Sequence, residues 1–146
     1  MTDTGEICHY LEASSTYTQQ QFSSTLIPTT TTLVTVTGIG TGRNNTQIIL
    51  DFFSTNPSTE CPAAYYAANH TNGGLNDWFL PSRLELNQLM TQINNGSIGW
   101  DSTYPYSYVW SSTVTSGGSV GCLDRLGNAG SQGSTQNLNV HPIRAF

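Results

Sequence analysis

Residues 73–90 read GGLNDWFLPSRLELNQLM. A glycine pair breaks whatever precedes it, Trp78, Phe79 and Leu80 crowd against Pro81, and a helix signal follows at once. Ser82-Arg83-Leu84-Glu85 is a capping box. The serine hydroxyl accepts from the Glu85 amide, and the Glu85 carboxylate reaches back to the Ser82 amide. Leu86, Leu89, Met90 and Ile93 then recur at i, i+3, i+4 and i+7, one apolar stripe on one helix face. Asn94-Asn95-Gly96 ends the helix.

Upstream, residues 7–37 read as extended chain. ICHYLEA (Ile7–Ala13) predicts a short strand, and TTTTLVTVTGIG (Thr29–Gly40) predicts a β-branched strand running into a Gly-rich turn. The period then changes. In GTGRNNTQIILDFFSTNP, Asn44 or Asn45 caps a helix whose face carries Ile48, Ile49, Phe52 and Phe53 and which Asn56-Pro57 stops. STECPAAYYAANH predicts another helix, with Pro62 in its first turn and Asn72-Gly73-Gly74 after its end. Beyond Gly99 the helix signals vanish, and YPYSYVWSSTVTS, VGCLDRLGNAG and NLNVHPIRAF read as short antiparallel strands between long loops. Strands, then helices, then strands predict an α+β fold with helices laid on a small antiparallel sheet, in one domain over residues 1–146.

Composition narrows the partners. Only 9% of residues are charged, and the basic ones are Arg43, Arg83, Arg125 and Arg144, with no lysine. At a formal net charge of −5 there is no cationic footprint for nucleic acid, anionic polysaccharide or acidic membrane. No run approaches the roughly 20 apolar residues of a membrane-spanning helix. Three Trp, seven Tyr and five Phe argue for a packed body rather than disorder. The surface left is hydroxyl, amide and tyrosine. Such a surface exchanges hydrogen bonds with neutral polar ligands, or buries against a sister subunit without stranding charge.

Cys8, Cys61 and Cys122 are odd in number and widely spaced, so they are either free thiols or one bridge with a spare, the pairing unassigned. No C-x-x-C pair, H-E-x-x-H, G-x-S-x-G or phosphate loop is present, and no metal site or catalytic residue is predicted. The opening residues carry neither a basic start nor an apolar core of a secretion signal.

Several blocks together resemble a known family. D-W-x-L-P-S-x-x-E-L (Asp77–Leu86), W-S-S (Trp110–Ser112) and the ending P-x-R-A-F (Pro142–Phe146) occur here in order, with IGTGRNNTQIIL ahead of them. The combination, running from about Tyr10 to Phe146, resembles the C-terminal domain family of the Legionella collagen-like protein, found in bacterial adhesins and phage fibres. The resemblance implies a C-type-lectin-like fold with small antiparallel sheets, two or three helices, long loops and chain ends that lie together. It makes Trp78, Leu80 and Pro81 scaffold, sets Trp110, Ser111 and Ser112 beneath the loops, and packs Ile143 and Phe146 in the last strand. It also implies a homo-oligomer, preferably a trimer. Family members usually carry a Gly-rich strand ahead of the HYLEA region. The final strand is therefore expected to lack a partner within the chain and to leave an open edge for a neighbouring subunit. The sulfated-glycan preference within the family does not carry over to a chain without lysine.

These readings predict a non-catalytic extracellular binding module, an adhesin or fibre tip on a cell surface or virion, that recognises a neutral glycan or other surface receptor. The alternative is a structural subunit of a virion or extracellular filament that acts by self-association. Sugar recognition needs aromatic faces and planar amides or carboxylates. The late loops supply Trp100, Asp101, Tyr104, Tyr106, Tyr108, Asp124, Arg125, Asn128, Gln132, Gln136 and Asn137. No cofactor is predicted. Calcium enters by fold analogy alone, since no close run of acidic ligands is present.

Overall fold

The computed structural model describes residues 10–98 and 108–146. Among them are seven strands: β1 (Leu11–Ala13), β2 (Thr18–Gln21), β3 (Val109–Val114), β4 (Val120–Leu123), β5 (Ala129–Gln132), β6 (Asn137–Val140) and β7 (Ile143–Ala145). Four helices lie between β2 and β3: α1 (Gly42–Phe52), α2 (Pro57–Glu60), α3 (Pro62–Ala68) and α4 (Arg83–Asn94). The chain is α+β, with a five-stranded sheet in the order β2-β6-β3-β4-β5 and a two-stranded ribbon β1-β7. One pair departs from the expected antiparallel pattern: β6 lies parallel to β3, with Asn139 opposite Val109. The β4 and β5 strands intervene in sequence, so β6 reaches β3 by a crossover rather than a hairpin.

Alternation along the central strand separates two cores. Trp110 and Val114 face a cluster with Phe22, Ile49, Leu80, Val140 and the α3 alanines Ala63, Ala64 and Ala67. Val109 and Leu123 face a second cluster made by the α4 stripe Leu86, Leu89, Met90 and Ile93 with Phe79 and Ile143. Every residue of β3 is buried although half of them are hydroxylic. Their polar atoms are satisfied locally: Ser111 Oγ donates to the Gly121 carbonyl (2.7 Å), Thr113 Oγ1 accepts from the Arg83 amide (3.0 Å), and Ser112 Oγ accepts from Asn45 Nδ2 (3.2 Å).

The capping box of α4 forms as the sequence predicts, with Ser82 as N-cap and Glu85 at N3, and Gly96 follows the helix at positive φ. Glu85 does more than cap its own helix. Its side chain is buried; Oε2 accepts from the Ser82 amide (2.7 Å) and Oε1 from the Gly40 amide (2.9 Å) in the segment leading into α1. Burial pushes the Glu85 carboxyl above the usual carboxylate range, and these hydrogen bonds offset only part of that. A Cβ at Gly42 would run into Glu85 Oε2 and the Ser82 amide nitrogen, so only glycine lets the two helix starts approach this closely.

Three expectations upstream change. Residues 29–40 form no strand. Leu33 and Thr35 are buried and Val34 and Val36 exposed, the alternation of an extended chain, but it docks on β3 largely through side chains. Thr35 Oγ1 donates to the Ser112 carbonyl and accepts from the Val114 amide (2.8 Å), and Asn45 brackets Val36, accepting from its amide and donating to its carbonyl. Asn44 and Asn45 therefore do not cap α1. Thr41 is its N-cap, and Asn45 is buried one turn in, where it ties the helix to the extended run. Phe52 is exposed rather than on the buried face; α1 ends before Asn56-Pro57 as expected, and that pair also opens the four-residue α2. That extra turn brings the helices to four where two or three were expected.

The final strand is not an open edge. β7 pairs with β1 in the register Leu11↔Ala145, Glu12↔Arg144 and Ala13↔Ile143, and on its other side Ile143 bridges Phe79. Leu11 and Ala13 pack on the second core. Across the pair, Arg144 Nε donates to Glu12 Oε2 (2.7 Å) while its Nη1 reaches Asp77 Oδ1 (2.9 Å). The HYLEA segment itself supplies the partner that was expected to be missing, so the strand-completion argument for a trimer falls. The chain end closes on Tyr10, whose backbone exchanges two hydrogen bonds with Phe146. Phe146 is 57% exposed and lies against the Tyr10 ring and the Arg144 guanidinium rather than in the core. Trp78, Leu80, Pro81, Trp110, Ser111, Ser112 and Ile143 are buried scaffold, as expected.

Replacing Glu85 by alanine strands the Gly40 and Ser82 amides in a dry site. We expect a loss of about 3–5 kcal/mol in urea unfolding. Glu85→Gln keeps one acceptor and should lose roughly half as much. Equal, small losses for both substitutions would contradict this role.

Candidate functional site

Of the late-loop residues chosen from sequence, Trp100, Asp101, Tyr104 and Tyr106 lie outside the described residues. The structure divides the others. Asp124, Arg125 and Asn128 belong to the β4–β5 turn; Gln132 ends β5, Gln136 is exposed before β6, and Asn137 is the first residue of β6, opposite Gln21. Among the described residues no hydrogen bond joins the two groups. Tyr108 is half-buried against the first core, and its carbonyl accepts from the Asn139 amide (3.1 Å).

The β4–β5 turn is rigid by its own chemistry. Asp124 Oδ1 accepts from the amides of Leu126 (2.9 Å) and Asn128 (2.8 Å), and Oδ2 from Asn128 Nδ2 (2.8 Å). Burial alone would raise the Asp124 carboxyl; the Asn128 side-chain bond and the turn amides outweigh it and hold the group below its ordinary value. Gly127 takes positive φ. Asp124 and Asn128 thus hold one another, and the side chains presented outward are Arg125 and Leu126, the latter 74% exposed. Beneath the turn is a cleft of about 270 Å³ between Thr37, Arg83, Leu84 and Asn87 on one side and Leu123, Gly127 and Ala129 on the other. Arg83, Leu84 and Asn87 belong to α4, and sequence reading had assigned that helix to scaffolding alone.

A second polar centre was missed altogether. Ser14, just after β1, lies 58 residues from Asn72, and folding brings both to His70. Ser14 Oγ is 2.6 Å from His70 Nε2 and accepts from the Thr16 amide (3.1 Å) and Asn72 Nδ2 (3.0 Å). With both its acceptor positions filled, the serine donates to Nε2, which leaves the ring proton on Nδ1. The His70 ring meets Trp78 edge-on (5.5 Å) and tilts against Tyr66 (5.3 Å). His141 completes the layer: its Nε2 bonds the Ser14 carbonyl (2.8 Å) and its ring stacks on Tyr17. A serine–histidine pair this short has the spacing nucleophilic catalysis needs. Here the hydroxyl is buried and both its acceptor positions are filled, and through it the end of β1 is tied to the segment after α3.

On the outer side of this layer is a cleft of about 430 Å³ along α3, lined by Gln20, Ser58, Pro62, Tyr65, Tyr66, Asn69, His70 and Thr71. The adjacent tyrosines on an otherwise alanine-rich helix were the one trace of it in the sequence. Tyr66 packs against the first core, whereas Tyr65 is exposed.

Cys61 and Cys122 are buried free thiols and form no bridge with each other; Cys8 lies outside the described residues. Burial, with Glu60 adding, pushes Cys61 up to about 12. Burial pushes Cys122 up to about 11, Asp124 adding and Arg83 opposing. Neither is a thiolate at neutral pH. Among the described residues no group of three or more His, Cys, Asp or Glu is placed to hold a metal ion, and no helix is long and apolar enough to cross a membrane. Compared with models of known protein families the chain matches none, and no curated protein sequence matches it.

Burial lowers both His70 and His141 below the ordinary imidazole value of 6.5; for His141 the Ser14 carbonyl opposes this and His70 adds to it. The unfolded chain then takes up protons first as the pH falls. Stability is complete above about pH 6.5 and declines below it, by at most about 1.4 kcal/mol per pH unit per histidine. His141→Gln keeps a donor for the Ser14 carbonyl without the titration, so its urea midpoint should fall less than that of the wild type between pH 7 and 5. Glu85 shifts in the opposite sense but is common to both proteins and cancels in the difference. Parallel curves would show that His141 does not titrate with unfolding.

Proposed function

We propose that the chain is a non-catalytic extracellular binding module, a lectin-like adhesin or fibre tip that recognises a neutral carbohydrate or similar surface receptor. One observation carries this reading: the charges around β1, β7 and the start of α4 are paired or hydrogen-bonded internally, and the α3 cleft is lined by no Asp, Glu, Lys or Arg. Arg144 pairs with Glu12 and Asp77, Arg43 lies 3.8 Å from Asp77, Glu85 is sealed inside, and Asp124 closes its own turn. The α3 cleft offers tyrosine, carboxamide and hydroxyl groups, and the β4–β5 turn presents Leu126 and Arg125 on a pre-organised loop. Such surfaces suit a ligand that is all hydroxyls and C–H faces, and rigid loops lower the ordering cost of binding. The blocks Asp77–Leu86, Trp110–Ser112 and Pro142–Phe146 support a lectin-like, surface-exposed origin by resemblance.

A structural subunit of a virion or filament is the second reading, favoured by Leu26, Val34, Val36 and Ile39, all half-exposed or more. Such apolar surface is desolvated cheaply against a copy of the same chain.

The test is binding of the purified chain to immobilised neutral and sulfated glycans, with and without EDTA. We expect saturable binding to neutral glycans that neither EDTA nor added salt weakens. Binding confined to sulfated glycans, or none by folded protein that instead assembles with itself, would favour the second reading or refute both.

A further inference from the structure

We propose that the α3 cleft is a neutral-saccharide subsite, gripping one sugar ring between Tyr65, Asn69 and Gln20; this rests on the glycan-binding reading above and gives it a place. The geometry follows from helix periodicity. Ala63, Ala64 and Ala67 turn into the core and are fully buried, so the opposite side of α3 carries Tyr65, 39% exposed, with Asn69 one turn on. Asn69 Nδ2 donates to the Tyr65 carbonyl (2.9 Å), which fixes the carboxamide plane and leaves its Oδ1 open as an acceptor. Across the cleft, the backbone of Gln20 is anchored because its carbonyl accepts from Trp110 Nε1 (3.0 Å), while among the described residues its side chain makes no hydrogen bond. That leaves an unused carboxamide, both donor and acceptor, facing an aromatic wall. His70 closes the inner end, its Nε2 already held by Ser14.

Chemistry selects the ligand. Vicinal sugar hydroxyls each donate and accept, which matches carboxamides, and the C–H face of a pyranose lies on a tyrosine ring. No Asp, Glu, Lys or Arg lines the cleft, so an anionic ligand finds no counter-charge and a cation no carboxylate. About 430 Å³ falls within the roughly 300–1,000 Å³ of small-ligand pockets. The site lies on α3 and β2, whereas sequence reasoning had looked for it in residues 100–137.

Titration of the isotopically labelled full chain with the methyl glycosides of galactose, glucose and N-acetylglucosamine, followed by NMR, tests the assignment. At least one probe should shift the resonances of Tyr65, Asn69 and the Gln20 side chain, and methyl galacturonate should not. Tyr65→Ala should weaken that binding about tenfold, and Gln20→Ala, at a partly exposed strand position, should weaken it with no change in unfolding midpoint. If a probe binds but both variants bind it equally well, while Tyr106→Ala abolishes binding, the cleft assignment is overturned and the glycan reading stands. If no probe shifts any resonance and no glycan is retained on the array, both fall together.

Discussion

Glu85 sets one carboxylate against the Ser82 amide at the start of α4 and the Gly40 amide in the segment that leads into α1. Both helices present the positive ends of their dipoles to the same two oxygen atoms. A buried carboxylate is costly unless its lone pairs are filled, and here the backbone fills them. The consequence is geometric. α1 carries Asn45, which binds Val36 and Ser112; α4 carries the apolar stripe of the second core; and β3 lies between them. Moving either helix start breaks the carboxylate site, and the glycine at 42 admits no side chain there.

The same economy of charge shapes the exterior. Two acidic side chains, Glu12 and Asp77, and two arginines, Arg43 and Arg144, form ion pairs around β1, β7 and the loop before α4, and much of the interior polarity is carried by hydroxyls and carboxamides on backbone groups. Of the clefts, the one along α3 carries no charged side chain, and it is this one on which the proposed binding function rests.

Local signals were legible. The capping box, the α4 stripe and the Pro62 helix start rest on neighbours within a few residues, where spacing carries the information. Long-range pairings were not. The poly-threonine run looked like a strand because threonine favours one, yet its hydroxyls replace ladder bonds with side-chain bonds to β3. Asn45 looked like a cap because asparagine caps helices; its true partners lie nine and 67 residues away. The parallel β3–β6 pair and the β1–β7 ribbon join segments with no sequence proximity. The Ser14–His70–Asn72 tie and the α3 cleft were invisible for the same reason, save for the adjacent tyrosines on an alanine-rich helix.

Amide hydrogen exchange at Gly40 and Ser82 tests the central role of Glu85 most directly. If the carboxylate locks both helix starts, these two amides exchange only through global unfolding, as slowly as those of Trp110 and Val114 in the central strand. Exchange at either amide orders of magnitude faster than in β3 would show that the helix starts open independently, and that the fold depends on something other than this carboxylate.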